Sequence, residues 1–231
     1  MNKRKLVSQQ PVFEGVAPET LEKLLVAGNI SEVSKGTLLI RARDPVSSVF
    51  FQVSGKSVIY NLTHSGKRKI LFVFGTGALL NEHVLNNQTS SVYCETYEKS
   101  KIFEISSAEL VRLMAEDFTL TKNILEAQER KVWRLSHQLK NSMSSIYLEK
   151  KLAAKLWKLA RDFGIPKEDG VEIDMNITIT FLADMLGAPR ETTSRTCSAL
   201  YEHGLIKVNK KRITITDPDK MSSFFKVGKF D

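Results

Sequence analysis

Thiols are scarce in this chain: Cys94 and Cys197 are the two cysteines among 231 residues, the first in a strand-like run and the second on the inward stripe of a helical pattern. Both read as reduced, structural residues. Histidine is scarce as well. His64, His83, His137 and His203 make no His-x-His pair, and there is no glycine loop ending in Lys-Ser/Thr and no nucleophile elbow. No catalytic residue and no metal site is therefore expected, and the chain does not read as an enzyme. No apolar run approaches a membrane span, and MNKRKLVSQQPVFEGV lacks the apolar core of a signal peptide, so a cytoplasmic location without a membrane partner is the expectation. Internal repeats and low-complexity tracts are also missing. What is present is enough apolar material for real cores, at 42% of residues, and an excess of 34 basic over 26 acidic side chains. The resulting +8 charge favours a polyanionic partner.

Pro18 to Ala27 carries Leu21, Leu24 and Leu25 at helical spacing before Gly28, a short cap helix. From Ile30 to Ser106 the pattern becomes short β-branched and aromatic runs, TLLI, SSVFFQVSG, KSVIYNL, KRKILFVFG, SSVYCETY and SKIFEIS, cut by Gly36, Gly55, Gly66, Gly75 and Gly77. Such runs suggest a closed sandwich or roll. Ser106, with Glu109 three residues on, caps a helix that ends near Phe118.

Phe118, Leu125, Val132, Leu139 and Ile146 then recur every seventh residue, with Thr121, Gln128, Leu135 and Ser142 between them. That is the seam of a two-stranded coiled coil, in which Leu125, Val132, Leu135, Leu139 and Ile146 would meet a second copy and polar Thr121 and Gln128 would set register. A long helix packed on its own roll is the alternative. The small polar run Asn141 to Ser145 marks a boundary and hinge. The expected organisation is a sensing β-domain over 1–117, a dimerisation helix and hinge over 118–145, and a last domain over 146–231. The fold class is α+β.

In the last domain, Tyr147 to Phe163 reads as a helix, Val171 to Met175 as a strand, and Thr178 to Ile206 as helix, tight turn at Gly187, and second helix from Pro189 or Arg190. Thr193, Thr196, Cys197 and Leu200 form the inward stripe of that second helix. Arg190, Glu191, Ser194 and Arg195 form the opposite one, the donors and acceptors that suit base edges in a DNA major groove. A hairpin with a basic tip follows, placing Lys210, Lys211 and Arg212 for phosphates, with Thr178 and Thr192 as further phosphate candidates. The unit reads as a winged helix-turn-helix.

The string Arg190-Glu191-Thr192-Thr193-Ser194-Arg195, with Leu182-Ala183-Asp184 and Leu186-Gly187 before it and Gly204-Leu205-Ile206 after it, resembles the DNA-binding signature of the cyclic-AMP receptor protein and fumarate-nitrate regulator (Crp/Fnr) family. Val53 to Val58, with Gly36 and Ser65-Gly66, is similar to that family's β-roll, the cyclic-nucleotide-binding fold. The resemblance implies a bacterial, homodimeric transcription regulator controlled allosterically by a small effector, with RNA polymerase as a second partner. It implies Glu191 and Arg195 as central base readers, Ser194 as in the fumarate-nitrate type and Arg190 as in the cyclic-AMP type, on a palindromic operator with TTGA-like or TGTGA-like halves.

The effector pocket it implies comprises Asn81, Glu82, His83, Thr89, Ser90, Ser136 and His137. Glu82 matches the ribose-binding glutamate and Ser90 the serine. Asn81 replaces a glycine, and Thr89 the phosphate-pairing arginine, whose bidentate contact a threonine cannot make. Cyclic AMP is therefore not the expected effector. Two cysteines exclude the iron–sulfur branch, which needs four thiolates. Haem remains an alternative cofactor through His83, as does an uncharged or aromatic effector, and as does a ligand-sensing module that acts by protein contact.

Overall fold

The computed structural model describes residues 3–8, 10–85, 88–143 and 147–227. The chain divides into two compact units, one of residues 1–62 and 70–137, the other of 63–69 and 138–231. In the first, α1 (Lys3–Ser8), a 3-10 turn (Pro11–Phe13) and α2 (Pro18–Ala27) lead into β1 (Asn29–Val33), β2 (Leu38–Ile40), β3 (Ser48–Ser54), β4 (Ser57–Leu62), β5 (Arg68–Phe74), β6 (Tyr93–Thr96) and β7 (Ser100–Ser106). The strands form two antiparallel-paired sheets, ordered β1-β7-β3 and β2-β6-β4-β5. The expected strands are all present, and β1, whose polar sequence NISEV gives little signal, is added to them.

β7 explains how one chain fills two cores. Successive strand residues point to opposite faces, so Phe103 and Ile105 join Phe13, Phe51 and Leu110, while Ile102 joins Ile59, Phe72, Phe74 and Cys94. At the turn between β3 and β4, Gly55 has φ +80°, and a Cβ there would sit 2.7 Å from the Lys99 carbonyl oxygen. Glycine meets both demands without strain.

Two helices close this unit, α3 (Ser107–Glu116) and α4 (Phe118–Met143). Ser106 caps α3 as expected, its hydroxyl accepting from Glu109 N at 3.2 Å. Asp117, buried between the two helices, does more. Its Oδ1 accepts from the N–H groups of Thr119 and Leu120 at the start of α4, and its Oδ2 accepts from Ala17 N, which precedes α2. Burial pushes this carboxyl up, but the donated hydrogen bonds outweigh it and hold the group below its ordinary value. Removing the side chain uncaps α4 and leaves Ala17 N–H without its acceptor, so Asp117→Ala should cost about 2 kcal/mol in denaturant unfolding. The sign with pH follows from the depressed native value. The contribution is full above the unfolded carboxyl range and is lost as pH falls through the native one, so wild type and variant should converge in acid.

α4 has two faces. Leu120, Ile124, Ala127 and Lys131 turn inward onto the roll, whereas Phe118, Leu125, Val132, Leu135 and Leu139 are exposed. Of the two residues expected to set register, Thr121 Oγ1 donates to the Met114 carbonyl and Gln128 Nε2 to the Asn81 carbonyl at 3.1 Å, bonds made within the first unit. Helix continues through Asn141, Ser142 and Met143 of the expected hinge, since small polar residues without Gly or Pro do not break one. Ser144, Ser145 and Ile146 lie outside the described residues.

The second unit holds α5 (Leu148–Phe163), β8 (Gly164–Lys167), β9 (Gly170–Ile173), α6 (Ile179–Leu186), α7 (Arg190–Glu202), β10 (Ile206–Asn209), β11 (Arg212–Ile215) and α8 (Pro218–Val227). The sheet order is β10-β11-β9-β8. Gly164 and Pro166, read from sequence as a helix stop, also build β8, which as an edge strand tolerates proline. Leu152, Leu156 and Leu159 of α5 form buried core, and α8 gives the terminal Phe224-Phe225 pair a role: Phe224 is buried and Phe225 meets the Trp157 ring edge-on at 5.8 Å.

Candidate functional site

α6 and α7 are joined by a tight turn with a physical basis in sequence. Thr178 Oγ1 accepts from Phe181 N at 3.1 Å and caps α6, which leaves the O–H of this expected phosphate residue as a donor. Gly187 ends α6 at φ 69°, ψ 35°, where its N–H and that of Ala188 both reach the Ala183 carbonyl. This is the left-handed helix stop that glycine favours. α7 starts at Arg190 after Pro189, whose fixed φ suits a helix entry and which offers no side-chain cap. The Thr193 hydroxyl donates back to the Pro189 carbonyl at 3.0 Å.

Thr193, Thr196, Cys197 and Leu200 are buried under α7, and Arg190, Glu191, Thr192, Ser194 and Arg195 are exposed along its first turns. Glu191 and Arg195 lie 3.9 Å apart as an i,i+4 pair, each more than four-fifths exposed. A pair so exposed contributes about 0.5 kcal/mol or less, so a base edge can replace either partner at little cost. The burial of Cys197 raises its thiol pKa, in keeping with a packing residue.

β10 and β11 form the hairpin expected after α7, with Asn209 opposite Arg212 and the loop residues Lys210 and Lys211 exposed at the tip. Lys210 adopts φ 54°, the left-handed geometry that two-residue hairpin loops need. Arg212 is placed differently from the two lysines. Its guanidinium donates to Asp174 Oδ1 at 2.7 Å and pins the hairpin to the segment after β9. Asp174 had no signal of its own in the sequence.

In the first unit, Asn81, Glu82 and Ser90 come together in the loop segments between β5 and β6. Asn81 is buried, its Oδ1 accepting from Phe50 N at 2.8 Å and its Nδ2 donating to Ser48 O at 2.9 Å, so the residue that replaces the family's glycine stitches the loop to β3. Glu82 Oε1 accepts from Ser90 Oγ at 2.7 Å and from Ser91 N at 2.6 Å. Thr89 is exposed and bridges to Pro45, and His83 is half-buried. Ser136 and His137 are exposed on α4, where His137 lies 4.0 Å from the Trp133 ring and Ser136 Oγ donates to Val132 O. Among the described residues they do not join the Asn81–Glu82–Ser90 cluster by any hydrogen bond.

Lys131 does join it, and sequence reading overlooked it. Its Nζ donates to the Asn81 carbonyl at 2.5 Å and lies 5.6 Å from the Phe74 ring centre. One turn on, Arg134 covers Phe72 and Phe74 at 5.1 and 5.5 Å. The signal was the inward spacing Leu120, Ile124, Ala127, Lys131, Arg134, which the more obvious heptad concealed. Among the described residues no group of three or more His, Cys, Asp or Glu side chains could hold a metal ion, and no helix is long and apolar enough to cross a membrane.

Residues 30–117 match the cyclic nucleotide-binding domain family and residues 150–224 the Crp-like helix-turn-helix domain family. The chain is 28% identical over 215 residues to the "Probable transcriptional regulator flp" of Lacticaseibacillus casei, covering 93% of this chain and 95% of that protein. It is 25% identical over 205 residues to the "Global nitrogen regulator" of Synechococcus elongatus, covering 85% and 89%. The fold is shared with the structure of FixK2 from Bradyrhizobium japonicum at a TM-score of 0.73 and 15% identity, over 85% of this chain and 96% of that one. A roll carrying a long helix, a helix-turn-helix with a wing, and these likenesses agree: the chain belongs to the Crp/Fnr family and is a DNA-binding transcription regulator.

Proposed function

We propose that the protein acts as a homodimer on a twofold-symmetric operator, reading TGA-containing half-sites about one helical turn apart, and that a small effector other than cyclic AMP, bound where α4 meets the roll, sets its affinity for that operator. RNA polymerase is the second partner. The observation that carries the DNA reading is the first two turns of α7, where Arg190, Glu191, Ser194 and Arg195 are exposed above a fully packed stripe. The cyclic-AMP exclusion rests on Thr89, exposed at the position where relatives that take the nucleotide carry an arginine. Control by the effector requires different affinity for the DNA-competent and DNA-incompetent states.

A bidentate guanidinium on a guanine discriminates bases, whereas a wing ammonium on a phosphate does not. Arg195→Ala should therefore cost about 1–3 kcal/mol and relax preference at one base pair of each half-site. Lys210→Ala should weaken binding across all sequences and lower the salt slope by about 1 per site. Fluorescence anisotropy against a set of single-base operator variants at several salt concentrations separates the two. Equal, sequence-blind losses from both variants would remove Arg195 from base reading.

A further inference from the structure

Glu82 and Lys131 lie close enough to interact, and among the described residues they form no ion pair. Glu82 Oε1 is satisfied twice, while Oε2 is buried and meets no hydrogen-bond donor among the described residues. The Lys131 ammonium, on a residue 8% exposed, donates to the carbonyl of Asn81, the residue before Glu82, and rests on the Phe74 ring. An ammonium has three donors, and the partners of this one are a neutral oxygen and a π face. A bare buried carboxylate oxygen costs about 1–3 kcal/mol or more, and methionine at position 131 would fill the same inward stripe without a desolvated charge. Packing alone accounts for neither group.

We infer that the roll takes a compact ligand with one anionic group and one hydrogen-bond donor, a hydroxy acid or an amino acid, its anion on Lys131 and its donor on Glu82 Oε2. This rests on the effector reading above and names the ligand's class. Phe72 and Phe74, stacked at 5.3 Å, wall the site, and Arg134 over both rings adds a second cation beside the anion. Ile59, Leu80 and Cys94 are buried in the same core cluster as the two rings. The charge it needs comes from the helix rather than from the Thr89 loop.

Protonation provides a signature. Burial pulls Lys131 down to about 7, against the opposing field of the Glu82 carboxylate from the loop. Arg134 is the other cation that α4 places against these rings, and the Cys94 thiol is pushed up by burial and stays protonated. At about pH 8 the amine is mostly neutral, so an arriving anion should restore its charge and draw in about one proton per ligand.

The test is calorimetry of the full-length protein at about pH 8, in two buffers of different ionisation enthalpy, with glycolate, L-serine, acetate, ethylene glycol and cyclic AMP as probes. Glycolate or serine should bind with proton uptake, and acetate and ethylene glycol, each carrying half of the required chemistry, should bind about tenfold more weakly or worse. Lys131→Met should abolish the proton uptake, and Glu82→Gln should remove the advantage of glycolate over acetate. Acetate binding as well as glycolate, uptake surviving in Lys131→Met, neither acid binding, or cyclic AMP binding in preference to both would each overturn the inference. The comparison of glycolate with acetate uses wild-type protein and so does not depend on any variant folding. Operator binding measured on the same preparation keeps the two readings apart: intact DNA binding without acid binding defeats this inference alone, and absent sequence-specific DNA binding defeats the regulator reading.

Discussion

Val132→Asp combined with Leu139→Asp is expected to turn the protein from a dimer into monomers of 26.1 kDa and to lower operator affinity by roughly 10²- to 10⁴-fold. Both side chains are more than three-fifths exposed on the outward face of α4, in line with Leu125 and Phe118, and none of them contributes to the roll's core. A row of large apolar residues at heptad spacing on a helix already anchored by its opposite face is suited to a second copy of itself. Carboxylates there would be buried against one another in the dimer, which disfavours association steeply, yet they would be solvated in the monomer. The loss of affinity follows because two half-sites bound by one dimer act as linked contacts, and separate monomers lose that linkage. Light scattering and anisotropy measure the two effects. A variant that remains dimeric, or a monomer that still binds the full operator at wild-type affinity, would contradict the assignment of this face.

The second large effect is thermodynamic. Phe51→Ala should destabilise the first unit by about 3–5 kcal/mol in urea unfolding. Phe51 is fully buried, 5.0 Å from the Phe13 ring and 5.9 Å from Phe103, so truncation opens a cavity between elements distant in sequence that cannot readily collapse. Tryptophan emission assigns the effect to its unit, because Trp133 lies in α4 of the first and Trp157 in α5 of the second. The transition reported by Trp157 should move little, since Phe51 and Trp157 belong to separate compact units, each with its own core. A loss below about 1 kcal/mol would mean that the aromatic cluster is not the centre of the roll's core.

Much of this architecture was legible because periodicity and punctuation agreed. The strand runs broke at glycines the backbone needs, Ser106 sat where α3 begins, and the inward stripe of α7 could be counted from Thr193 to Leu200. Long-range polar partnerships were illegible. Nothing in sequence links Arg212 to Asp174 or Lys131 to the Asn81 carbonyl, since such contacts depend on where distant segments meet. The sensor residues show the same limit. Resemblance located Asn81, Glu82 and Ser90 but could not reveal that Asn81 spends its amide on β3, nor that Ser136 and His137 are exposed on α4 away from that cluster's hydrogen bonds. β8 was hidden for a local reason: Gly164 and Pro166 are helix-stop signals whether or not an edge strand follows.

α4's two stripes lie roughly 110° apart by helical geometry, so the side chains of one are not those of the other. Substitutions along the outward row can therefore alter which chains pair without touching the residues that hold the helix to its roll. In a cell with several regulators of this architecture, partner choice could diverge between duplicated copies while their response to a shared metabolite stayed the same.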